Sequence, residues 1–305
     1  MSHDTATALR LCPACGAGEP IHADERTWPL GWRCAACGRS VAASDGIPMF
    51  APALADTVSG YDPAAFAFLA KIEATHFWFV ARNELIVGLV ERFFPDARSF
   101  LEIGCGNGAV LLALARARRW DRLVGADLHP RGIAQARARL PDVEFAQMDA
   151  TAIPARAAFD LTGAFDVVEH AADDEAILRG LRHATVTGGG TIVAVPQHPW
   201  LWSSSDDVAH HQRRYRRGEL ETKLRRNGFE VLFSSSFTAL LLPLMAASRL
   251  KARAAPGEHD IEREFTLGSV LNTVLTAILR AEVRSTLAGL RWPAGGSRVV
   301  VARAV

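Results

Sequence analysis

The chain has 305 residues, 49% of them hydrophobic and 22% charged, and a formal net charge of +1. That length suits one large domain with a small appendage, or two domains, and the composition is that of an ordinary globular protein. A charge so near zero gives no global basic field to hold a polyanion. MSHDTATALR lacks the apolar core of a secretory signal, and no apolar run reaches the roughly 18 residues of a membrane span. These features predict a cytoplasmic protein, with peripheral contact at the membrane surface left open.

Residues 1–50 form the first unit. Cys12-Pro-Ala-Cys15-Gly and Cys34-Ala-Ala-Cys37-Gly are two C-x-x-C-G knuckles with eighteen residues between them. Such knuckles bring four thiolates within tetrahedral reach of one zinc ion. A span this short buries little core, so the metal would largely fold it. Cys12, Cys15, Cys34 and Cys37 leave no open coordination position, which makes the zinc structural. The next residues, 51–63 (APALADTVSGYDP), read as a linker. From Ala64 to Phe94 the sequence predicts helix, with an aromatic centre (HFWFVARN) that either packs on the main domain or caps a ligand pocket.

Strands are predicted near 98–104, 122–127, 143–148, 159–166, 190–196, 230–237 and 297–304, with helices near 108–119, 130–139, 173–185 and 217–227. This alternation means an α/β, Rossmann-like doubly wound sheet, whose ligands bind beyond the carboxyl ends of the strands. There the first strand runs into Leu101-Glu102-Ile103-Gly104-Cys105-Gly106-Asn107-Gly108. Glycines in such a turn permit positive φ and close approach of a ligand to the backbone, and the following helix offers free N–H groups. The spacing G-x-G-x-G is not the dinucleotide G-x-G-x-x-G. Glu102 stands where a ligand amino group could use it, Asp127 ends the next strand and suits a ribose diol, and Asp149 ends the one after. Acids at three successive strand ends describe a site for a nucleoside with a cationic amino-acid arm.

The fourth strand ends in Phe165-Asp-Val-Val-Glu169-His170. This pair could orient an acceptor, take its proton or hold a divalent ion, or else serve as a helix cap and a solvated acid. After the fifth strand, the stretch from His198 to Arg217 is dense in His, Trp, Asp and Arg. Functional groups concentrate on such loops, although a charge run clamping the loop to the domain is the alternative. His211, then His170 and His198, are the candidate bases. Phe237 to Leu250 is the strongest apolar run, too short to span a bilayer. The insertion at 239–290 is read as a helical lid, a homodimer contact or an interfacial membrane helix.

E-x-G-x-G-x-G with acids at the next two strand ends resembles the class I S-adenosylmethionine (SAM) dependent methyltransferases. FDLTGAFDVVEH, GGGTIVAVPQHPWLWSSSD and HQRRYRRGEL are similar to segments of the methyltransferase type 11 and 12 subgroup. The resemblance implies a seven-stranded sheet with an antiparallel last strand, SAM as cofactor, and a cofactor set of Glu102, Gly104, Cys105, Gly106, Gly108, Asp127, Leu128, Asp149, Ala150 and Phe165. Through W-S-x-x-D and H-x-R-R-Y it implies substrate contacts from Trp202, Asp206, Arg213, Arg214 and Tyr215. The ending SDGIPMF of the N-terminal unit resembles the small zinc-ribbon proteins that activate methyltransferases. The expected reaction is methyl transfer to oxygen or nitrogen of a small-molecule or lipid- or glycan-linked acceptor. An RNA methyltransferase using the ribbon to hold nucleic acid is disfavoured by the ribbon's balanced charges, and a non-catalytic SAM-binding scaffold is the third reading.

Overall fold

The computed structural model describes residues 7–55, 63–254 and 267–305. Its centre is a nine-stranded sheet in the order β11-β12-β10-β9-β5-β6-β7-β4-β3. The core strands are β5 (Ser99–Ile103), β6 (Arg122–Asp127), β7 (Glu144–Gln147), β9 (Phe159–Phe165) and β10 (Thr185–Pro196). They run parallel. β11 (Phe229–Phe237) and β12 (Ser297–Ala304) complete one edge, and β12 is antiparallel to both of its neighbours, as the resemblance implies.

The strands are apolar on both sides because both faces are covered. Along β12, Val299 and Val301 join one core cluster while Val300 and Ala302 join the other, the alternation a pleated strand imposes. On the first face lie α3 (Phe77–Phe93), α4 (Ala109–Ala117), α5 (Pro130–Arg139) and α10 (Ser269–Leu287). They contribute Leu85, Leu111, Ile133 and Leu279 against Phe100 and Ile192. On the second face lie α6 (Asp174–Ala184) and α8 (Glu219–Arg226), with Leu178, Leu181 and Leu224 on Leu101 and Val193.

The helix expected over 64–94 is two helices, α2 (Pro63–Ile72) and α3. His76 breaks it: it sits in an extended conformation and its Nδ1 accepts the Trp78 N–H at 3.3 Å, capping α3. The linker region holds the short helix α1 (Pro52–Ala55) before the undescribed residues.

The cysteine-rich unit is tied to the sheet by pairings that no local pattern announces. β4 (Ile47–Met49) pairs parallel with β7 through Met49 and Gln147, and β3 (Ala42–Ser44) pairs with β4. β1 (Leu9–Leu11) pairs with β2 (Gly18–Pro20) and with β8 (Ala155–Arg156). Trp28, 3% exposed, packs on Phe50 and Phe159 and donates its Nε1–H to Pro154 O at 3.0 Å.

In the insertion, α9 (Leu242–Ala254) and α10 flank residues 255–266, so most of the expected polar stretch KARAAPGEHDIERE lies outside the described residues. α10 lies along α3. Asn272 accepts the Phe77 N–H at 2.9 Å and donates to Thr75 O at 2.9 Å, and Arg280 pairs with Glu84 at 2.6 Å. Among the described residues no helix is long and apolar enough to cross a membrane.

Candidate active site

β5 delivers Glu102 and the glycine turn to the carboxyl end of the sheet. Gly104, Gly106 and Gly108 all have positive φ (71°, 49° and 74°). At Gly104 a Cβ would lie 2.1 Å from Val167 Cγ2, so neither the conformation nor the space admits a side chain. At Gly106 an added Cβ would meet nothing within 4 Å, so the turn faces open space. Gly108 caps α4. The turn is braced from β6: Asp127 accepts the Gly106 N–H and the His129 N–H, each at 2.8 Å. Burial raises the Asp127 carboxyl, and these two N–H groups partly offset it.

Glu102 is 3% exposed, and its Oε2 is buried without a hydrogen-bond partner among the described residues. Burial lifts its pKa well above the ordinary carboxylate range, with Arg82 pulling the other way. An orphaned buried carboxylate oxygen beside an open glycine turn fits a ligand that brings an ammonium group, which is the donor and acceptor set of SAM. Leu128 follows Asp127. Its carbonyl accepts Gln147 Nε2 at 3.1 Å. Asp149 accepts the Thr151 N–H at 2.8 Å, and Ala150 beside it is half-buried. Cys105 is buried within the turn, while Phe165 is buried in the core cluster with Phe100.

α2 and α3 fold over this turn. Phe66 is buried against Gly132 and faces His129, with ring centroids 5.7 Å apart. Asn107 in the turn donates to Phe66 O at 2.9 Å, and Arg139 bridges Glu73 at 2.8 Å and Asn107 O at 3.1 Å. Arg82 of α3 lies over the Trp78 ring and pairs with Asp166 at 2.7 Å. Asp166 ends β9 with φ 58°, and His198 follows β10 with φ 65°. Both are left-handed, the kind of backbone strain that gathers at functional ends of strands.

A second group of side chains converges beside Asp166. Glu169 is fully buried, and both its carboxylate oxygens lack a hydrogen-bond partner among the described residues. Burial and repulsion from Asp166 push its pKa well up. His211 Nε2 lies 3.8 Å from Glu169 Oε1, and its Nδ1 lies 2.9 Å from Asp206 Oδ1. The His170 and His211 rings meet edge to face at 4.8 Å. Burial, helped by His211, holds His170 down at about 4.

Asp206 is 1% exposed and also accepts Arg214 Nε at 2.7 Å and the Ser203 N–H at 2.9 Å. Burial alone would raise this carboxyl, but the bonds from His211 and Arg214 outweigh it and hold the pKa at about 2. An ionised Asp206 fixes His211 with Nδ1 protonated and leaves the Nε2 lone pair facing Glu169 and His170.

The remaining loop residues are divided between this cluster and the scaffold. Arg213 donates to Ala171 O and Ala172 O and pairs with Asp174 at 3.0 Å. Tyr215 is fully buried, its hydroxyl donating to Asp174 Oδ2 at 2.6 Å, and Lys223 joins the same carboxylate at 2.5 Å. Arg213 and Tyr215 thus anchor the loop to the first turn of α6. Trp202 Nε1 donates to Asp207 at 3.0 Å. His198 stacks with Trp200 at 5.5 Å rather than joining His170 and His211. Asp174 and Lys223 escaped sequence reasoning; the only signal was their placement in otherwise amphipathic helices.

In the N-terminal unit, Cys12 Sγ lies 3.6 Å from Cys37 Sγ, and Cys15 Sγ 3.7 Å from Cys34 Sγ. Tetrahedral ligands at Zn–S bonds of about 2.3 Å stand about 3.8 Å apart, so the four thiols fit a zinc ion. The exit from this unit reaches the site. Phe50 N donates to Gln147 O at 2.8 Å, Ala51 N to Gln147 Oε1 at 3.0 Å, and Gln147 Nε2 to Ala51 O at 2.8 Å. Gln147, fully buried, therefore joins the cysteine-rich unit to Leu128 beside Asp127. Sequence reasoning missed it; a glutamine inside the apolar strand EFAQMD was the available signal.

Residues 100–189 match the family model described as a methyltransferase domain. Among solved structures, one similar chain comes from the complex between the Haloferax volcanii Trm112 methyltransferase activator and its methyltransferase. It is 19% identical over 79% of this chain and 94% of that one, with a TM-score of 0.53. Phosphoethanolamine N-methyltransferase 2 of Haemonchus contortus, solved with SAM, is 16% identical over 82% of this chain and 60% of that one, with a TM-score of 0.55. A search of curated proteins finds no match. Residues 100–189 thus match a methyltransferase domain, and the fold of the chain is that of the SAM-dependent methyltransferases.

Proposed function

We propose that this methyltransferase acts at an oxygen or nitrogen of a small-molecule or lipid- or glycan-linked acceptor, with His211 as the base. The observation that carries the reading is the chain Arg214–Asp206–His211, which presents a fixed Nε2 lone pair toward the buried Glu169, whose carboxylate oxygens have no hydrogen-bond partner among the described residues. Bound SAM supplies an electrophilic methyl group, so the protein's task is to align the acceptor and exclude water. Glu102 would hold the amino group, Asp127 the ribose, and Asp149 with Leu128 the base. His211 Nε2 takes the acceptor proton, and Asp206 stabilises the imidazolium that results. His170, held neutral near pH 7, stacks against His211 and adds no competing charge. Trp202 lies on the same loop. α9 roofs that loop, Arg249 donating to Ser205 Oγ at 3.3 Å, which favours the lid reading for the first half of the insertion.

A second reading of the same cluster has its own support. One ligand atom each from Glu169, His170 and His211 falls within 4.8 Å of the others, so the three could hold a divalent cation that orients the acceptor. The ribbon, joined to the pocket wall through Gln147, would serve as a zinc-dependent activator in cis.

The test is incubation of wild-type and His211→Ala protein with methyl-labelled SAM and cell extract split into lipid, small-molecule, RNA and protein fractions. Label in the lipid or small-molecule fraction, lost in His211→Ala with SAM affinity kept, supports the base. Restoration by added Mg2+ in protein whose ribbon zinc is retained, after weakly held cations are removed, selects the cation reading. Label in RNA overturns the acceptor class, and SAM binding without transfer to any fraction supports a scaffold.

A further inference from the structure

A groove of 300 Å³ opens on the outer edge of the sheet, between α8, β11 and the segment after α10. Arg217, Arg225, Arg291 and Arg298 line it together with Glu221 and Trp292. Its floor is rigid. Arg298, 7% exposed, clamps Glu221 Oε1 with Nη2 at 2.6 Å and Nε at 2.8 Å, and Ser234 Oγ donates to the same oxygen at 2.6 Å. Two polar atoms of this lining remain buried without a hydrogen-bond partner among the described residues: the donor Trp292 Nε1 and the acceptor Glu221 Oε2. Above them the exposed Arg217, Arg225 and Arg291 make no ion pair among the described residues. Four arginines around one carboxylate that is already clamped make a site for an anion, not a cation.

The groove is also linked to the candidate active site. Arg298 Nη1 lies 3.3 Å from Ser236 Oγ, Ser236 Oγ donates to Gln197 Oε1 at 2.7 Å, and Arg214 Nη1 donates to Gln197 O at 3.3 Å. Arg214 is the residue that holds Asp206. The floor of the groove and the base therefore share one hydrogen-bonded frame at the same end of the sheet.

We infer that this groove binds the phosphoryl group of a phosphate ester carrying a free hydroxyl, and that it is the remote anchoring subsite of the methyl acceptor. The assignment rests on the methyl-transfer reading above. The guanidinium groups and Trp292 Nε1 donate to phosphoryl oxygens, and the ester's hydroxyl donates to Glu221 Oε2. Both orphaned atoms are satisfied by such a ligand, whereas a carboxylate satisfies only the donor, and inorganic phosphate has only its own P–OH to offer Glu221 and no carbon skeleton to reach beyond the groove.

Calorimetry of the full chain with sn-glycerol 3-phosphate, with inorganic phosphate, and with phosphatidylglycerol, whose headgroup keeps free hydroxyls, in phosphatidylcholine vesicles tests this. The exposed pair Arg225→Gln/Arg291→Gln is compared with wild type. The ester should bind more tightly than inorganic phosphate, and the double variant should weaken it by about 100-fold, roughly 10-fold per charge-assisted contact. Melting temperature and SAM affinity should stay unchanged. Preference for the vesicles, lost in the variant, identifies a lipid headgroup as the source; preference for the soluble ester identifies a free metabolite. Absence of ester and vesicle binding, binding that the variant retains, or arginine-dependent binding of single-stranded RNA alone would overturn the proposal. Failure here with methyl transfer intact removes only the subsite, whereas phosphate binding without any methyl transfer condemns the transfer reading instead.

Discussion

Removing zinc from the N-terminal unit should weaken SAM binding. Among the described residues the unit's own buried cluster consists of Cys12, Trp32, Cys34 and Val41, and two of these belong to the four cysteines that fit a zinc ion. A core that small cannot hold a fold, whereas a structural zinc site supplies on the order of 10 kcal/mol of apparent folding energy. Chelation should therefore unfold the unit and withdraw β3 and β4 from the sheet. The pocket wall then loses three hydrogen bonds to Gln147, from Phe50 N and to and from Ala51. At about 1 kcal/mol each that is about 3 kcal/mol. If half of this must be restored to order Leu128 and Asp127 around the ligand, SAM affinity falls about 10-fold.

Calorimetry with SAM before and after chelation reads the affinity, atomic absorption reads the zinc, and amide exchange over 144–149 reads the wall. Gln147→Leu should reproduce the weakening with zinc retained, because Leu128 O and Ala51 O then lose their shared donor. Zinc-free protein with an unfolded ribbon but unchanged SAM affinity would refute the coupling.

Three further outcomes follow from the site. Asp206→Asn should lower turnover about 100-fold or more with SAM affinity unchanged, since the base loses its orienting charge; the ratio of kcat to SAM Kd across the variants checks it. Tyr215→Phe should lower the melting temperature, removing a bond to a charged partner that contributes about 2 kcal/mol, while leaving KM for the acceptor unchanged; a raised KM would return Tyr215 to the substrate. His170, held at about 4 against an ordinary 6.5, contributes stability that is present above pH 6.5 and lost as pH falls through about 4. The loss amounts to about 3 kcal/mol, and His170→Gln should flatten that part of the acid limb in denaturant titrations at successive pH values.

The strands and helices of the main domain were legible because their signals are local. The apolar run before each turn, the glycines whose positive φ the turn requires, and the acids at the ends of β5 and β6 all lie within a few residues of the feature they announce. The break at His76 was not legible, because a histidine cap inside an aromatic run looks like helix until Asn272, almost two hundred residues later, takes the Phe77 N–H. The attachment of the cysteine-rich unit was hidden for the same reason. Met49 and Gln147 pair through the backbone, which leaves no mark on either side chain.

The loop from His198 to Tyr215 shows how far composition reaches and where it stops. Its density of charge and imidazole marked the region but could not divide the labour, because that depends on two carboxylates in different elements. Asp174 opens α6 and collects Arg213, Tyr215 and Lys223. Asp206 sits within the loop and collects Arg214 and His211. The first set converges on the single oxygen Asp174 Oδ2 from the loop and from α8, so it fixes the loop. The second leaves His211 Nε2 facing Glu169, whose oxygens have no partner among the described residues. Burying an unpartnered carboxylate costs free energy that packing does not return. A fold that keeps Glu169 so, beside an imidazole held by its own acid, spends stability where an acceptor or a cation would restore it, which supports the proposal that His211 and Glu169, more than Tyr215, face the acceptor.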